Sequence, residues 1–278
     1  VSVAVLIVNY RTYDALDQCL TSLHPFVGGD DEVVVVDWVS DDQQLEGLAT
    51  RHPCVTWLPS PENRGFAAGI NRAAAATTAP VLMWLNPDTT VEGPVVRQLE
   101  TWLAEHPTVA VVGPRVVNSD GTVQPSARRF PGVSTVFGGR STWLTRRFPN
   151  NWFSRRNLLQ GDGRHTAEVD WLAGSCLATR REAFERLGGL DEEFFMYWED
   201  ADYCRRATAL GLACHYVPTS AVRHSGGASS AHNVVPSIRA FHRSAFRLFW
   251  KHAGAARLFA PLVWVGLRAR GELKVLLR

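Results

Sequence analysis

The sequence predicts an α/β fold with a mainly parallel central sheet flanked by helices, followed by a C-terminal basic amphipathic helical extension. Three observations predict it. Short Val-rich runs alternate with amphipathic stretches through the first half of the chain, the pattern of successive βαβ units. Runs such as Val33 to Val36 are continuously apolar, the mark of strands covered on both faces. Acidic residues, Asp37 and Asp88, stand directly after such runs, where open α/β sheets hold their ligands.

Val3 to Val8 reads as a buried strand, and Asp14 to Leu23 as a helix with Leu16, Cys19, Leu20 and Leu23 on one face. Val33 to Val36 is a second strand, Val55 to Leu58 a third, and the Ala-rich stretch from about Phe66 to Ala76 a helix. Val81 to Leu85 (strand), roughly Val95 to Glu105 (helix) and Val109 to Val112 (strand) continue the alternation. Residues 114 to 168 break it. Rich in Pro, Gly, Arg and aromatics, they read as a long excursion with room for one hairpin, and excursions of this length are usually functional or mobile. Helical periodicity returns at Arg181 to Leu187, closed by Gly188-Gly189, and at Glu199 to Leu210, closed by Gly211. His215 to Val217 is a short strand ended by Pro218, which leaves His224 among small polar residues after the last strand. From Ser237 to His252, Arg239, Arg243, Arg247 and Lys251 recur every four positions beside Ile238, Phe241, Ala245, Leu248 and Phe249 at helical spacing, a basic amphipathic helix. The expected organisation is one domain over 1-236 and a C-terminal basic segment over 237-278.

With 278 residues, 46% hydrophobic and 20% charged, the chain can bury a sizeable core and is neither disordered nor collagen-like. No apolar run approaches the roughly 20 residues that cross a bilayer, and Leu258 to Leu267 is short and broken by Pro261. Val1 to Val8 has no basic leader or small-residue cleavage site, so no secretory signal is expected there. Five cysteines without a C-x-x-C pair fit reduced thiols in a cytoplasmic protein. The net charge of +2 hides a segregation: residues 126 to 165 hold eight Arg against Asp162 alone, and residues 237 to 278 hold nine cations against Glu272 alone. Arg forks suit phosphates, and the 237 to 252 helix suits an anionic leaflet. A peripheral position at the inner face of the cell membrane is therefore expected. The bland alternative is that the helix packs on the domain, since 27 of the 29 cations are Arg throughout the chain. No nucleic-acid-binding motif accompanies the charge, so nucleic acid is not expected as a partner.

Neither G-x-G-x-x-G nor G-x-x-x-x-G-K-[ST] occurs, so the sheet needs another way to hold a ligand. A carboxylate at Asp37 can accept the imide N–H of a pyrimidine. One at Asp88, reached through Asn86-Pro87, can hold a divalent metal with phosphate oxygens completing its shell. Each alone is equally a turn or cap residue. Between Asp191 and Asp202 six acids crowd twelve residues beside an aromatic run. Glu199 and Asp202 suit a helix N-terminus, with Arg206 four residues beyond Asp202. Asp200 follows apolar walls of the kind that raise a carboxylate pKa toward that of a general base. His224 becomes a metal-ligand candidate where other such residues meet it.

Together these stretches resemble the family 2 inverting glycosyltransferases of the GT-A fold, in their rhamnosyltransferase-like branch. The resemblance is carried in order by Val5-Leu6-Ile7-Val8-Asn9-Tyr10, Val33 to Asp42, Asn63-Arg64-Gly65-Phe66-Ala67-Ala68-Gly69-Ile70-Asn71, Leu85-Asn86-Pro87-Asp88, Gly174-Ser175-Cys176, the Gly188 to Arg206 block and His224. The Pro114 to Arg129 and Trp171 to Cys176 stretches look most like the actinobacterial cell-wall linker rhamnosyltransferases, which move L-rhamnose from dTDP-rhamnose to N-acetylglucosaminyl diphosphoryl polyprenol. The resemblance implies that Asp37 reads the thymine or uracil ring, and that Asn9, Asn63, Gly65 and Asn71 line the nucleotide side of the donor pocket. It implies Asp88 as metal carboxylate, His224 as supplementary metal ligand and Asp200 as catalytic base. It places Arg128, Trp171, Gly174, Ser175, Trp198 and Glu199 beside the acceptor. A nucleotide-sugar donor, a lipid-linked or glycan acceptor and Mn2+ or Mg2+ come with it, an imidazole ligand favouring Mn2+.

Two positions depart from the family pattern. Trp38 stands where the family usually has Asn, so contacts near the nucleoside are expected to differ, and Asn86 stands where many relatives have Asp, so metal binding is expected to lean on the donor diphosphate and on His224. The implied chemistry is one in-line displacement, with Asp200 taking the acceptor hydroxyl proton. Two rivals stay open: a transferase using UDP-galactofuranose or UDP-N-acetylglucosamine, and a non-catalytic sugar- or lipid-binding module on the same fold.

Overall fold

The computed structural model describes residues 2–130, 147–148, 165–226 and 234–277. Most of the basic excursion, including Arg140, Arg146, Arg155, Arg156 and Arg164, lies outside the described residues. The first half runs β1 (Val3–Asn9), α1 (Tyr13–Leu23), β2 (Glu32–Trp38), α2 (Asp42–Arg51), β3 (Val55–Ser60), α3 (Phe66–Ala75), β4 (Val81–Leu85), β5 (Thr89–Val91), α4 (Val95–Glu105) and β6 (Val109–Val117). After it come β7 (Val123–Gln124), β8 (Ala127–Arg128), β9 (Ala167–Val169), β10 (Trp171–Leu172), β11 (Cys176–Arg180), α5 (Arg181–Arg186), α6 (Glu199–Ala209), β12 (Ala213–His224), α7 (Val234–His252) and α8 (Ala260–Leu276).

The main sheet has the order β3-β2-β1-β4-β11-β6-β12-β5, with β7 on β6 and β9 on β12, while β8 and β10 pair apart from it. Its first four strands are parallel. β1 and β4 are buried at every residue, which is why each reads as an unbroken apolar run. Alternate residues of β1 feed opposite layers. Val3, Val5 and Ile7 join the α1 and α4 side chains, and Ala4, Leu6 and Val8 join those of α3 and α6.

Three differences from the sequence reading have physical causes. α2 carries no apolar stripe to read, because it buries just Leu48. β11, antiparallel to both β4 and β6, is five residues long and interrupted by Thr179, whose hydroxyl sits 2.8 Å from that of Tyr203. Most consequential, β12 does not end at Pro218. The strand shifts register against β6 between Tyr216 and Ala221, so the proline occupies an irregularity where a ladder N–H is not needed. Past it, Val222, Arg223 and His224 pair with Val91, Thr90 and Thr89 of β5. His224 therefore stands on the sheet, not in a loop.

The C-terminal half of the basic stripe of α7 turns inward. Lys251 Nζ lies 2.7 Å from Asp191 and 2.9 Å from Asp202, and Arg247 lies 2.9 Å from Asp191 and also pairs with Glu193. His252 meets Asp202 at 2.7 Å, Arg206 meets it at 2.8 Å, and Arg239 pairs with Glu272 of α8. Asp202 is fully buried, and a buried carboxylate needs such partners. Arg247 and Lys251 of the stripe thus serve docking, while Arg239 is exposed beside α8. Arg243 remains exposed.

Candidate active site

Of the predicted donor residues, Asn9, Asp37, Asn63, Gly65 and Asp88 follow or end the parallel strands β1 to β4, while Asn71 lies inside α3. Asn9 and Asp37 are register partners at the ends of β1 and β2, and both are fully buried. Asn9 Nδ2 donates to Asp37 Oδ1 at 2.7 Å, Tyr13 Oη donates to Oδ2 at 3.0 Å, and Asn9 Oδ1 accepts from the Thr12 hydroxyl at 2.6 Å. Burial pushes the Asp37 carboxyl up, against the hydrogen bonds that pull it down. Burial likewise pushes the Tyr13 phenol up to about 12, so it stays a donor.

β3 leads into the loop before α3, where Asn63 Oδ1 accepts from Gly65 N at 2.9 Å. Gly65 has φ +91, and a Cβ there would sit 2.2 Å from the Phe195 carbonyl oxygen, so glycine alone fits. That carbonyl accepts instead from Phe66 N at 2.8 Å, tying this loop to the Gly188 to Arg206 block. Trp38 fills the space beneath: its indole N–H donates to Gly65 O at 3.0 Å. Asn71 clasps the same block, exchanging hydrogen bonds of 2.9 Å with Leu190 N and Leu190 O. Its amide also reaches Glu192 Oε1 at 3.1 Å.

Asp88 sits in the turn between β4 and β5, and the β5–β12 pairing brings His224 Nε2 to 3.2 Å from its Oδ1. Both side chains are largely buried. Asn86 Nδ2 lies 3.3 Å from the same ring nitrogen, and Gln124 Oε1 lies 3.1 Å from His224 Nδ1. Sequence reasoning missed Gln124, although it lies inside the Pro114 to Arg129 stretch; a lone Gln at the end of a two-residue strand carries no periodic signal. Among the described residues no group of three or more His, Cys, Asp or Glu gathers around a common point. The protein thus offers a carboxylate and an imidazole at one place, a donor set that suits a divalent cation whose remaining ligands are phosphate oxygens and waters.

Two adjacent residues, Gly174 and Ser175, link this corner to Asp200. Ser175 O accepts from Asn86 N at 2.9 Å, and Gly174 N donates to Asp200 Oδ2 at 2.7 Å. Asp200 Oδ1 accepts from Ala201 N at 2.7 Å. A Cβ on Gly174 would press on Asp200 Oδ2 at 3.3 Å, so the close approach depends on glycine. Burial raises the Asp200 pKa, while those two N–H groups and the nearby Arg128 charge oppose the rise. Arg128 pairs in register with Trp171 and stacks over its ring at 4.9 Å. Two consecutive left-handed residues, Tyr197 (φ 71) and Trp198 (φ 70), aim the α6 N-terminus. Such geometry costs about 1–3 kcal/mol per residue and persists where surroundings enforce it. Here Phe241 packs on both rings at 5.6 and 5.3 Å, and Ser244 Oγ donates to Met196 O at 2.9 Å.

Glu199 is buried beside Asp200, and its Oε2, like Ser175 Oγ and Trp198 Nε1, has no hydrogen-bond partner among the described residues. Burial, reinforced by the Asp200 charge, pushes its pKa well above the ordinary 4.5. Burial and the Asp200 charge thus both oppose ionisation of Glu199, whereas the two N–H groups and Arg128 favour the ionised form of Asp200. The folded state holds this proton at pH values where the unfolded chain has lost it, so its stabilisation is full at low pH and fades as pH rises from about 4.5 through the raised folded value. Glu199→Gln, which copies the neutral acid, should unfold with a flatter pH dependence over that window. Denaturant midpoints across the pH range check it, and a slope equal to that of the parent would show that Glu199 is ionised when folded.

The family model described as "Glycosyl transferase family 2" matches residues 4–188. The chain belongs to glycosyltransferase family 2. Similarity extends beyond the matched segment. This glycosyltransferase is 32% identical to the N-acetylglucosaminyl-diphospho-decaprenol L-rhamnosyltransferase of Mycobacterium tuberculosis, over 97% of this chain and 89% of that one. It is 40% identical over 79 residues to the rhamnosyltransferase WbbL of Escherichia coli K12, which covers 28% of this chain and 27% of WbbL. Among solved structures, a mannosyltransferase from Pyrobaculum calidifontis in complex with GDP-Man and Mn2+ superposes with a TM-score of 0.59 at 20% identity, covering 96% of this chain and 73% of that one. The fold of this glycosyltransferase is GT-A, as the sequence motifs imply.

Proposed function

We propose that the chain moves L-rhamnose from dTDP-rhamnose, with inversion, to a hydroxyl of polyprenyl diphosphate-linked N-acetylglucosamine in cell-envelope synthesis. The observation that carries the reading is the meeting of Asp88 and His224 at the strand ends, one short segment from Asp200. Similarity to the mycobacterial enzyme along nearly the whole chain supports the choice of donor and acceptor.

The geometry supports the following roles. Asp37, held by Asn9 and Tyr13, keeps lone pairs that can accept the thymine imide N–H. Asp88 and His224 would hold Mn2+ or Mg2+ together with the donor diphosphate. Such an ion supplies Lewis-acid stabilisation of the charge developing on the departing diphosphate, worth several kcal/mol. Asp200, anchored by the Gly174 and Ala201 N–H groups, accepts the acceptor hydroxyl proton as that oxygen attacks the anomeric carbon. Glu199, Ser175 and Trp198 present buried polar atoms that sugar hydroxyls can satisfy, and Arg128 can face the acceptor phosphates. The test is incubation of dTDP-rhamnose with a polyprenyl diphosphate N-acetylglucosamine analogue, with and without Mn2+, followed by mass analysis of the lipid. A metal-dependent gain of one deoxyhexose is expected. Transfer from UDP-galactofuranose or UDP-N-acetylglucosamine instead would replace the donor, and inertness toward all three would favour a non-catalytic module.

The membrane-facing surface in this reading is α8 and the turn before it. No helix among the described residues is long and apolar enough to cross a membrane. However, Leu258 is 85% and Leu262 73% exposed, and Val265, Leu273 and Leu276 continue the same face. Arg257, Arg268, Arg270 and Lys274 accompany them, the mixture that seats a helix in an anionic headgroup layer. The protein should sediment with anionic liposomes at low salt, and Leu258→Asp with Leu262→Asp should weaken that binding at least about tenfold, since each buried Leu contributes about 1.5–3 kcal/mol. Equal sedimentation of parent and double variant would exclude this face.

A further inference from the structure

We propose that α7 is a clamp that positions Asp200, with Phe241 and Ser244 holding the left-handed Tyr197-Trp198 turn from which α6 starts. A helix start is usually fixed by an extended N-cap residue whose side chain accepts a hydrogen bond from the first turn. α6 has neither feature. Its N-cap, Trp198, is left-handed (φ 70, ψ −4), and the Trp198 side chain makes no cap hydrogen bond. Tyr197 before it is left-handed as well, with φ 71. The Trp198 carbonyl nevertheless accepts from Asp202 N at 2.9 Å and so opens the helix. The direction of Asp200, two residues past Trp198, is therefore set by a backbone turn that bulky residues seldom adopt.

One stripe of α7 enforces that turn. Phe241, Ser244, Leu248 and Lys251 recur at spacings of three and four and so share a helix face. Phe241 packs against Tyr197 at 5.6 Å and Trp198 at 5.3 Å, with interplanar angles of 66° and 50°, an edge-on geometry that aromatic rings favour. Ser244 Oγ fixes the preceding carbonyl, donating to Met196 O at 2.9 Å. Beyond Asp200 the same stripe closes on α6 again. Leu248 joins the core cluster that holds Ala201, and Lys251 Nζ lies 2.9 Å from Asp202. Asp200 is thus gripped on both sides by one helix. Phe241 itself is 37% exposed, so its ring serves the turn and not the interior, and Lys274 of α8 backs it at 6.0 Å.

The consequence for turnover rests on the reading of Asp200 as the base, but the positioning does not. Gly174 N donates to Asp200 Oδ2 at 2.7 Å, so hydrogen exchange at the Gly174 amide of the full chain reports where Asp200 lies, whatever its role. Phe241→Ala should speed that exchange and lower kcat about 10- to 100-fold, the scale on which a small misplacement of a reacting group is felt, with dTDP affinity unchanged. Ser244→Ala, which removes one hydrogen bond and little volume, should act in the same direction by about 2- to 10-fold. Phe241→Tyr, which keeps the ring, should show the parent's exchange and kcat. A helix with a merely structural role would lower the unfolding midpoint on Phe241→Ala and leave both Gly174 exchange and kcat per folded molecule unchanged. That result overturns the clamp, as does a loss of kcat with Gly174 exchange unmoved. Faster exchange at the parent's kcat would uphold the clamp and remove Asp200 as the base.

Discussion

Asp200→Asn is expected to lower turnover by about 10²- to 10⁴-fold, the usual contribution of a positioned general base, while dTDP binding stays near that of the parent. The side chain is held on both oxygens by backbone N–H groups, from Gly174 and Ala201. An amide can satisfy one of them with its oxygen but turns N–H toward the other, so a stability loss of about 1–3 kcal/mol accompanies the change. Turnover should therefore be normalised to folded protein by near-ultraviolet dichroism. The pH dependence adds a second signature. A base must be ionised, and burial raises the Asp200 pKa, so kcat/KM should fall on acidification at a higher pH than for an ordinary aspartate. Near-parental turnover of Asp200→Asn would remove Asp200 as the base.

Asp88→Asn should be the second severe change, and a different one. The substitution keeps the shape of the turn and the Ser225 N–H bond to the Asp88 carbonyl, which is backbone. It removes the negative charge that sits 3.2 Å from His224. With one protein carboxylate at this corner, loss of that charge should lower both donor affinity and turnover, together at least about 100-fold in kcat/KM, the several kcal/mol of electrostatic stabilisation assigned to the site. Steady-state kinetics at several Mn2+ concentrations check it. A proportional loss in kcat with unchanged KM and unchanged Mn2+ dependence would contradict a metal role for Asp88.

Much of the architecture is written in local patterns. β1 and β4 are readable because burial on both faces leaves no polar alternation. α2 is invisible because its contact with the core is a single leucine, and Pro218 misleads because a strand irregularity absorbs it. The same contrast holds at the site. Asp37, Asp88 and Asp200 stand at element boundaries, where sequence and chemistry coincide. Pairing Asp88 with His224 required the resemblance, because 136 residues and a β5–β12 ladder separate cause from effect. Gln124 escaped notice because a lone Gln in a two-residue strand carries no periodic signal, and its contact with His224 arises from strand pairings that spacing does not encode. The α7 stripe shows the limit of charge periodicity: four-residue spacing of cations marks a face, but the partners of that face, Asp191 and Asp202, appear only in the fold.

The most direct test is calorimetric titration of dTDP into the parent, Asp88→Asn and Asp200→Asn proteins, each with and without Mn2+. A cation shared by Asp88, His224 and the diphosphate, with Asp200 acting separately on the acceptor, requires Mn2+ to strengthen dTDP binding in the parent and in Asp200→Asn but not in Asp88→Asn. Binding that ignores Mn2+ in the parent, or that responds to it equally in all three proteins, would contradict that division of labour.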